Sequence, residues 1–234
     1  MPKVTFIKPL DQPPGNRRLL EDLKTALNDS RFAEFRMIVA YVKSGPLHRL
    51  RDLFEEWRRT GKRIEAIFGI DQQGSSYEAL ELALTLFDVV YVTREPGITF
   101  HPKIYLFKGA MNAHAFIGSN NLTVGGTEKN FESAIHLELE LPADDATLVS
   151  LEEAWTGLLP ALCPATQVLN KALLTQFLAD SIVINENSMR PNAGGGDNAS
   201  VGFGRRATRS GLIVKPESPL PKKVLVPGSK PASA

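Results

Sequence analysis

The sequence has a single cysteine in 234 residues, Cys163, so neither an internal disulfide framework nor a metal site built from several cysteines is open to it. It also lacks a long apolar run. The longest stretches, such as Ile64 to Ile70, are strand-sized and fall far short of the roughly 20 residues that span a bilayer. The opening Met1-Pro-Lys-Val-Thr-Phe has no apolar core of a secretory signal. Histidine is scarce as well: four residues, at 48, 101, 114 and 136, limit where imidazole chemistry can sit. These absences predict a cytoplasmic protein without stable membrane association. What remains is 43% hydrophobic and 23% charged, enough for one domain with a sizeable core.

The net charge of +1 hides two unlike parts. Residues 190–234 hold eight basic residues against Asp197 and Glu217, a formal +6, which leaves −5 on residues 1–189. The same 45 residues contain 13 Gly plus Pro, including Gly194-Gly195-Gly196. Such a composition has little apolar surface to offset its ordering entropy. The expected division is a folded domain at 1–189 and a disordered basic tail at 190–234 that either contacts phosphates or is merely solvated.

Within 1–189 the hydrophobic period alternates. Leu19, Leu20, Leu23, Ala26 and Leu27 recur at helical spacing, and Asn28-Asp29-Ser30 supplies a stop. Phe35 to Val42 is nearly continuous in apolar residues, the mark of a strand covered on both faces. Leu47, Leu50, Leu53, Phe54 and Trp57 predict a second helix ended by Gly61. A strand over Ile64 to Ile70, a helix from Ser76 to Phe87 and a strand from Asp88 to Val92 follow. Three strands then come in succession, at His101 to Phe107, Ala113 to Gly118 and Ser133 to Leu141. Helices at Asp145 to Leu159 and Leu169 to Leu178 complete the pattern. The predicted fold is α/β, a mixed sheet with helices on both faces.

Chemistry concentrates in one segment. Residues two apart in a strand share a side, so His101 and Lys103 project together. Ser119 and Asn121 stand in the same relation at the end of the next strand, where Gly118 allows backbones to approach. Glu132 opens a third strand within reach of a neighbouring imidazole. A nucleophile, a fixed cation, two neutral donors and an orienting carboxylate suit a tetrahedral phosphate. His114 and His136, among apolar neighbours, are expected to be structural, and Trp57 and Trp155 to be core. Gly125-Gly126 is read as a loop whose amides are a lesser candidate for the phosphate site.

His101-x-Lys103 followed by Gly118-Ser119-x-Asn121 resembles the HKD signature of the phospholipase D superfamily, and Asn130-x-Glu132 resembles the glutamate segment of its small nuclease members. The resemblance implies an α-β-α sandwich in which His101, Lys103, Ser119, Asn121 and Glu132 are catalytic and Lys103, Asn121 and Gly118 bind substrate. The family's aspartate would fall at Lys108, and the spacing to Gly118 is three residues longer, which predicts an enlarged hairpin near Gly109 to Asn112. That departure resembles the restriction-endonuclease branch. Two HKD halves make one site in this family and the sequence holds one, so a homodimer is implied. The implied activity is metal-independent hydrolysis of nucleic-acid phosphodiesters through a phosphohistidine, with no cofactor. DNA is favoured over RNA, and a nuclease of this kind would be non-specific or would borrow its specificity from a separate subunit. A lipid phosphodiesterase and a non-catalytic nucleic-acid-binding module are the alternatives.

Overall fold

The computed structural model describes residues 1–13 and 15–189. The chain runs β1 (Lys3–Ile7), α1 (Leu19–Leu27), β2 (Phe32–Val39), α2 (Ser44–Arg59), β3 (Arg63–Gly69), α3 (Tyr77–Leu86), β4 (Val89–Thr93), β5 (Lys103–Gly109), β6 (Asn112–Gly118), β7 (Ala134–Glu140), α4 (Asp145–Thr156), β8 (Thr166–Val168) and α5 (Lys171–Ala179). One eight-stranded sheet is ordered β1-β7-β6-β5-β2-β3-β4-β8. β2, β3 and β4 are parallel, joined by helical crossovers. β5, β6 and β7 form an antiparallel meander, and β5 joins the parallel half by running antiparallel to β2.

Strand alternation sorts the side chains into two layers. Phe35, Met37 and Val39 of β2, Ile64, Ala66 and Phe68 of β3 and Tyr105 and Phe107 of β5 are buried with apolar residues of α1, α2, α3 and α5. Phe35 and Phe107 stack there at 4.0 Å between ring centres. The opposite face carries α4, whose Leu148 packs on Leu106, Ala113, Ala115 and Leu139. Trp155 of α4 covers Ile38 and Ile67. Trp57 and Trp155 are both buried. No helix among the described residues is long and apolar enough to cross a membrane.

Several boundaries differ from the sequence reading for identifiable reasons. The apolar run of β2 continues to Val42, but the strand ends at Val39 because the following amides turn to other acceptors. Ala40 N–H donates to Pro102 O at 2.9 Å and Val42 N–H to Ser75 Oγ at 3.1 Å. His101 lies outside β5, since Pro102 has no N–H with which to extend the ladder. The hairpin between β5 and β6 is not enlarged. Lys108 pairs with Ala113, so the strands are long and the turn is tight, and the extra residues are absorbed by regular pairing. Edge strands β1 and β8 carry too little periodic signal to have been predicted. The basic segment 190–234 lies outside the described residues.

Candidate active site

The carboxyl ends of β2, β3 and β6 and the amino ends of β5 and β7 meet at one edge of the sheet, and every predicted site residue lies there. Pro102 breaks the ladder at the start of β5, leaving His101 exposed just before the strand. Lys103, the first residue of β5, is only 5% exposed. Its Nζ is 2.7 Å from Nδ1 and 2.9 Å from Nε2 of His101, and it donates to the His101 carbonyl at 2.9 Å. Burial pulls the Lys103 ammonium below the usual lysine range, and the Glu132 carboxylate partly opposes that shift. The expected pair is therefore in direct contact.

Ser119 continues the pairing of β6 with β7 beyond its last ladder residue, its N–H donating to Ser133 O at 3.0 Å. That register brings its hydroxyl onto Glu132 Oε2. Asn130 Nδ2 donates to the other oxygen of Glu132 at 3.2 Å. Here the structure corrects an expectation: within one chain Glu132 is held by Ser119 and Asn130, and no carboxylate bonds to His101 among the described residues. Glu132 is 9% exposed, so its two donors satisfy a charge that burial would otherwise disfavour. Its field adds to burial in pushing the Tyr105 phenol well above its ordinary range.

Asn121 serves as a clamp. Its Oδ1 accepts the Tyr41 N–H at 3.2 Å, which leaves its amide N–H groups outside that bond. Gly118 has a reason of its own to lack a side chain, because a Cβ there would lie 2.2 Å from Ser133 O. The close approach it permits is to the backbone at the start of β7. Gly126 is likewise occupied. Its N–H donates to Thr123 Oγ1 at 3.0 Å, and a Cβ on it would meet Asn121 O at 2.3 Å. The Gly125–Gly126 turn thus supports Asn121 from behind and does not present the Gly126 amide to a phosphate.

Four residues near the site escaped the sequence reading. Tyr41 sits edge-to-face on His101, ring centres 6.1 Å apart and planes at 79°. Asn130 was quoted only as part of a motif. Buried Gln12 donates to Gly126 O at 2.8 Å and accepts the Leu19 N–H at 3.1 Å, tying the loop after β1 to the site. Asn120 donates to the same Gly126 carbonyl at 2.8 Å. Of these only Asn130, two residues before a candidate carboxylate, carried a readable signal. Lys108 lies five residues down β5 from Lys103, about 16 Å away at strand rise, and bonds to Glu152 of α4. His114 and His136 contact one another at 3.4 Å inside the sheet, away from the site edge.

The family model described as "NgoFVII restriction endonuclease N-terminal PLD domain" matches residues 24–153, more than half of the chain and a span containing His101, Lys103, Gly118, Ser119, Asn121 and Glu132. No curated protein matches the sequence. Solved structures to which the chain is similar include Nuc, a phospholipase D family member from Salmonella typhimurium, at 16% identity and a TM-score of 0.48, covering 73% of this chain and 100% of that one. NucT from Helicobacter pylori is similar at 10% identity and a TM-score of 0.48, covering 72% and 100%. Phosphatidylserine synthase from Haemophilus influenzae Rd KW20 is similar at 15% identity and a TM-score of 0.48, covering 77% and 46%.

Proposed function

The chain belongs to the family of NgoFVII restriction endonuclease N-terminal PLD domains, and on that premise we propose that it is a metal-independent nuclease whose site is completed by a second copy of itself. The observation that carries the reading is the contact between His101 and Lys103 at a sheet edge that also presents Asn121 and the Ser119–Glu132 pair. In the proposed first step a ring nitrogen of His101 attacks phosphorus. The N–P bond forms as the P–O bond to the leaving nucleotide breaks. Lys103 and the Asn121 amide donate to the non-bridging oxygens, where charge builds up. Ser119, ordered by Glu132, is the third polar group at the phosphate, and Gly118 keeps the start of β7 close enough for that ordering.

The leaving oxygen needs a proton, and among the described residues His101 is the one imidazole at this edge. His101 of the second copy would supply that proton and then remove one from water as the N–P bond is hydrolysed, the two roles of one general acid–base. No step calls for a metal or a cofactor. We further propose that the basic segment 190–234 adds phosphate contacts to the domain at 1–189, that DNA is the substrate, and that sequence choice comes from another subunit. A lipid phosphodiesterase or a binding module that has lost catalysis would share the fold but differ in substrate.

The test is an incubation in EDTA with single- and double-stranded DNA, RNA, a bis-aryl phosphodiester and phosphatidylcholine, with His101→Ala alongside. EDTA-resistant cleavage of nucleic acid that the variant loses supports the reading. Choline release moves the assignment to lipids, and binding without cleavage of any substrate rejects catalysis. Sedimentation at micromolar concentration tests the shared site, because an active strict monomer contradicts it.

A further inference from the structure

Within one chain, no carboxylate among the described residues bonds to the proposed nucleophile. His101 is exposed, Glu132 is engaged elsewhere, and Lys103 lies within hydrogen-bonding distance of both ring nitrogens without selecting one. A ring so held can turn about its side-chain bond, whereas in-line attack requires one orientation. Tyr41 also lies against this ring, edge-to-face with ring centres 6.1 Å apart.

Tyr41 is itself fixed from several directions. Asn121 Oδ1 accepts its N–H at 3.2 Å and its carbonyl accepts the Leu122 N–H at 3.1 Å, which pins its backbone to the exit of β6. Its ring lies over Gly74, where a Cβ would be 2.0 Å from Tyr41 Cδ1. Gly74 belongs to a turn, residues 71–75, in which Gln72 and Gln73 both hold positive φ, 52° and 55°. Two adjacent non-glycine residues in that region cost on the order of 1–2 kcal/mol each, so other contacts must hold the turn. Asp71 Oδ2 accepts the Phe100 N–H at 3.0 Å, Gln72 Nε2 donates to Thr99 Oγ1 at 3.1 Å and Gln73 Nε2 to Ser181 O at 3.1 Å. The Tyr41 hydroxyl donates to Gln72 Oε1 at 3.4 Å. The turn therefore grips both Tyr41 and the peptide that leads into His101.

We infer that Tyr41 is a positioning residue that sets the ring orientation of His101, and that the strained 71–75 turn holds Tyr41 in place. The inference rests on the reading of His101 as nucleophile for its consequence, though not for its geometry. An aromatic edge replaces the carboxylate as the orienting group, which restricts rotation of the imidazole without adding negative charge beside an anionic substrate.

Two measurements separate this from the nuclease assignment. The first is NMR of the whole chain. Nuclear Overhauser contacts between Tyr41 ring protons and the carbon-bound ring protons of His101 are expected in the wild type, and their absence overturns the inference without any variant. In Tyr41→Leu the His101 ring resonances should move toward those of a free histidine, and Tyr41→Phe should keep them in place. The second is steady-state kinetics on the bis-aryl phosphodiester. Tyr41→Leu should lower kcat about tenfold with KM changed less than twofold, and Tyr41→Phe should restore most of kcat. An unchanged kcat and unchanged His101 resonances in the leucine variant refute positioning while leaving the nuclease reading intact. A wild type that cleaves nothing, with the resonances behaving as described, refutes the nuclease reading and leaves the placement of His101 standing.

Discussion

Lys108, at the position where the HKD signature would place an aspartate, donates to Glu152 of α4 at 2.5 Å on the face of the sheet opposite the helices α1, α2 and α3. Arg36 approaches the same Glu152 at 3.7 Å and lies over the Trp155 ring at 5.5 Å. Position 108 therefore works in the seam between sheet and α4, remote from His101. Restoring the family residue should not help catalysis. Lys108→Asp is expected to leave turnover per folded molecule unchanged and to destabilise the domain by about 1–2 kcal/mol, since Glu152 then faces a like charge. Thermal melts and cleavage assays on the same preparation check both halves.

Lys103 presents the opposite balance. Its ammonium is buried, and burial holds its pKa below the ordinary lysine value. The cost of keeping it charged is present at neutral pH and is relieved as pH rises through the lowered folded pKa toward the unfolded value. Lys103→Met should accordingly stabilise the fold at pH 7 by about 1 kcal/mol, with an advantage that shrinks at alkaline pH. The same change should reduce cleavage on the order of 10²-fold or more. Denaturant titrations at pH 7 and at alkaline pH, paired with cleavage rates, test this trade of stability for activity.

His136 should make the domain acid-sensitive well above carboxylate pKa values. Burial, reinforced by the neighbouring His114, depresses its pKa to about 4, while Glu138 opposes the shift and Arg17 and Lys3 add to it. His136 also stacks on Phe116 at 4.2 Å. A folded pKa below the unfolded value means that full stability is present above the unfolded pKa, near 6.5, and is lost as pH falls toward 4. The expected loss is on the order of 2 kcal/mol, discounted for partial exposure. Urea titrations at pH 7 and pH 5 should show it, and His136→Phe should flatten the dependence.

Glu186 closes the amino ends of two helices. It accepts the Ser44 N–H at 2.6 Å, Ser44 Oγ–H at 2.8 Å and Ser76 Oγ–H at 2.6 Å. Burial alone would raise its pKa, but these bonds and the Lys43 charge outweigh it, and the net direction is down. Its contribution should be complete above the unfolded value near 4.5 and fade as pH drops through the lowered folded pKa. Glu186→Ala is expected to cost about 2 kcal/mol at pH 7, measured by chemical denaturation.

The parts of the molecule that the sequence made readable are those with local causes. The spacing of Leu19, Leu23 and Leu27 predicts α1, and Asn28 stops it. The continuous apolar character of residues 64–69 predicts a strand covered on both faces, because both of its faces are covered. His101 with Lys103 and Ser119 with Asn121 could be proposed as candidates because each pair is set by spacing within one short segment, although His101 precedes β5 and Ser119 and Asn121 follow β6. Non-local relations were hidden. Nothing in the sequence assigns Glu132 to Ser119 instead of to an imidazole, since that depends on how β6 and β7 slide past one another. The apolar run through Tyr41 looks like more strand, although its amides leave the ladder for Pro102, Asn121 and Ser75. Lys108 could be read only as a departure from the family pattern, because its partner Glu152 comes from α4, far along the chain.

The sheet order also governs when the site first exists during translation. β2 sits between β3, which follows it at once, and β5, which arrives some sixty residues later. A nascent chain that has delivered only β2 to β4 carries Tyr41 and Gly74 but not yet His101. One that stops after β6 has His101 and Ser119 but neither Glu132 nor the strand on which β1 docks. A product that stops before β7 therefore lacks the carboxylate that orders Ser119, and the proposed site becomes whole only as the last strand of the meander is added.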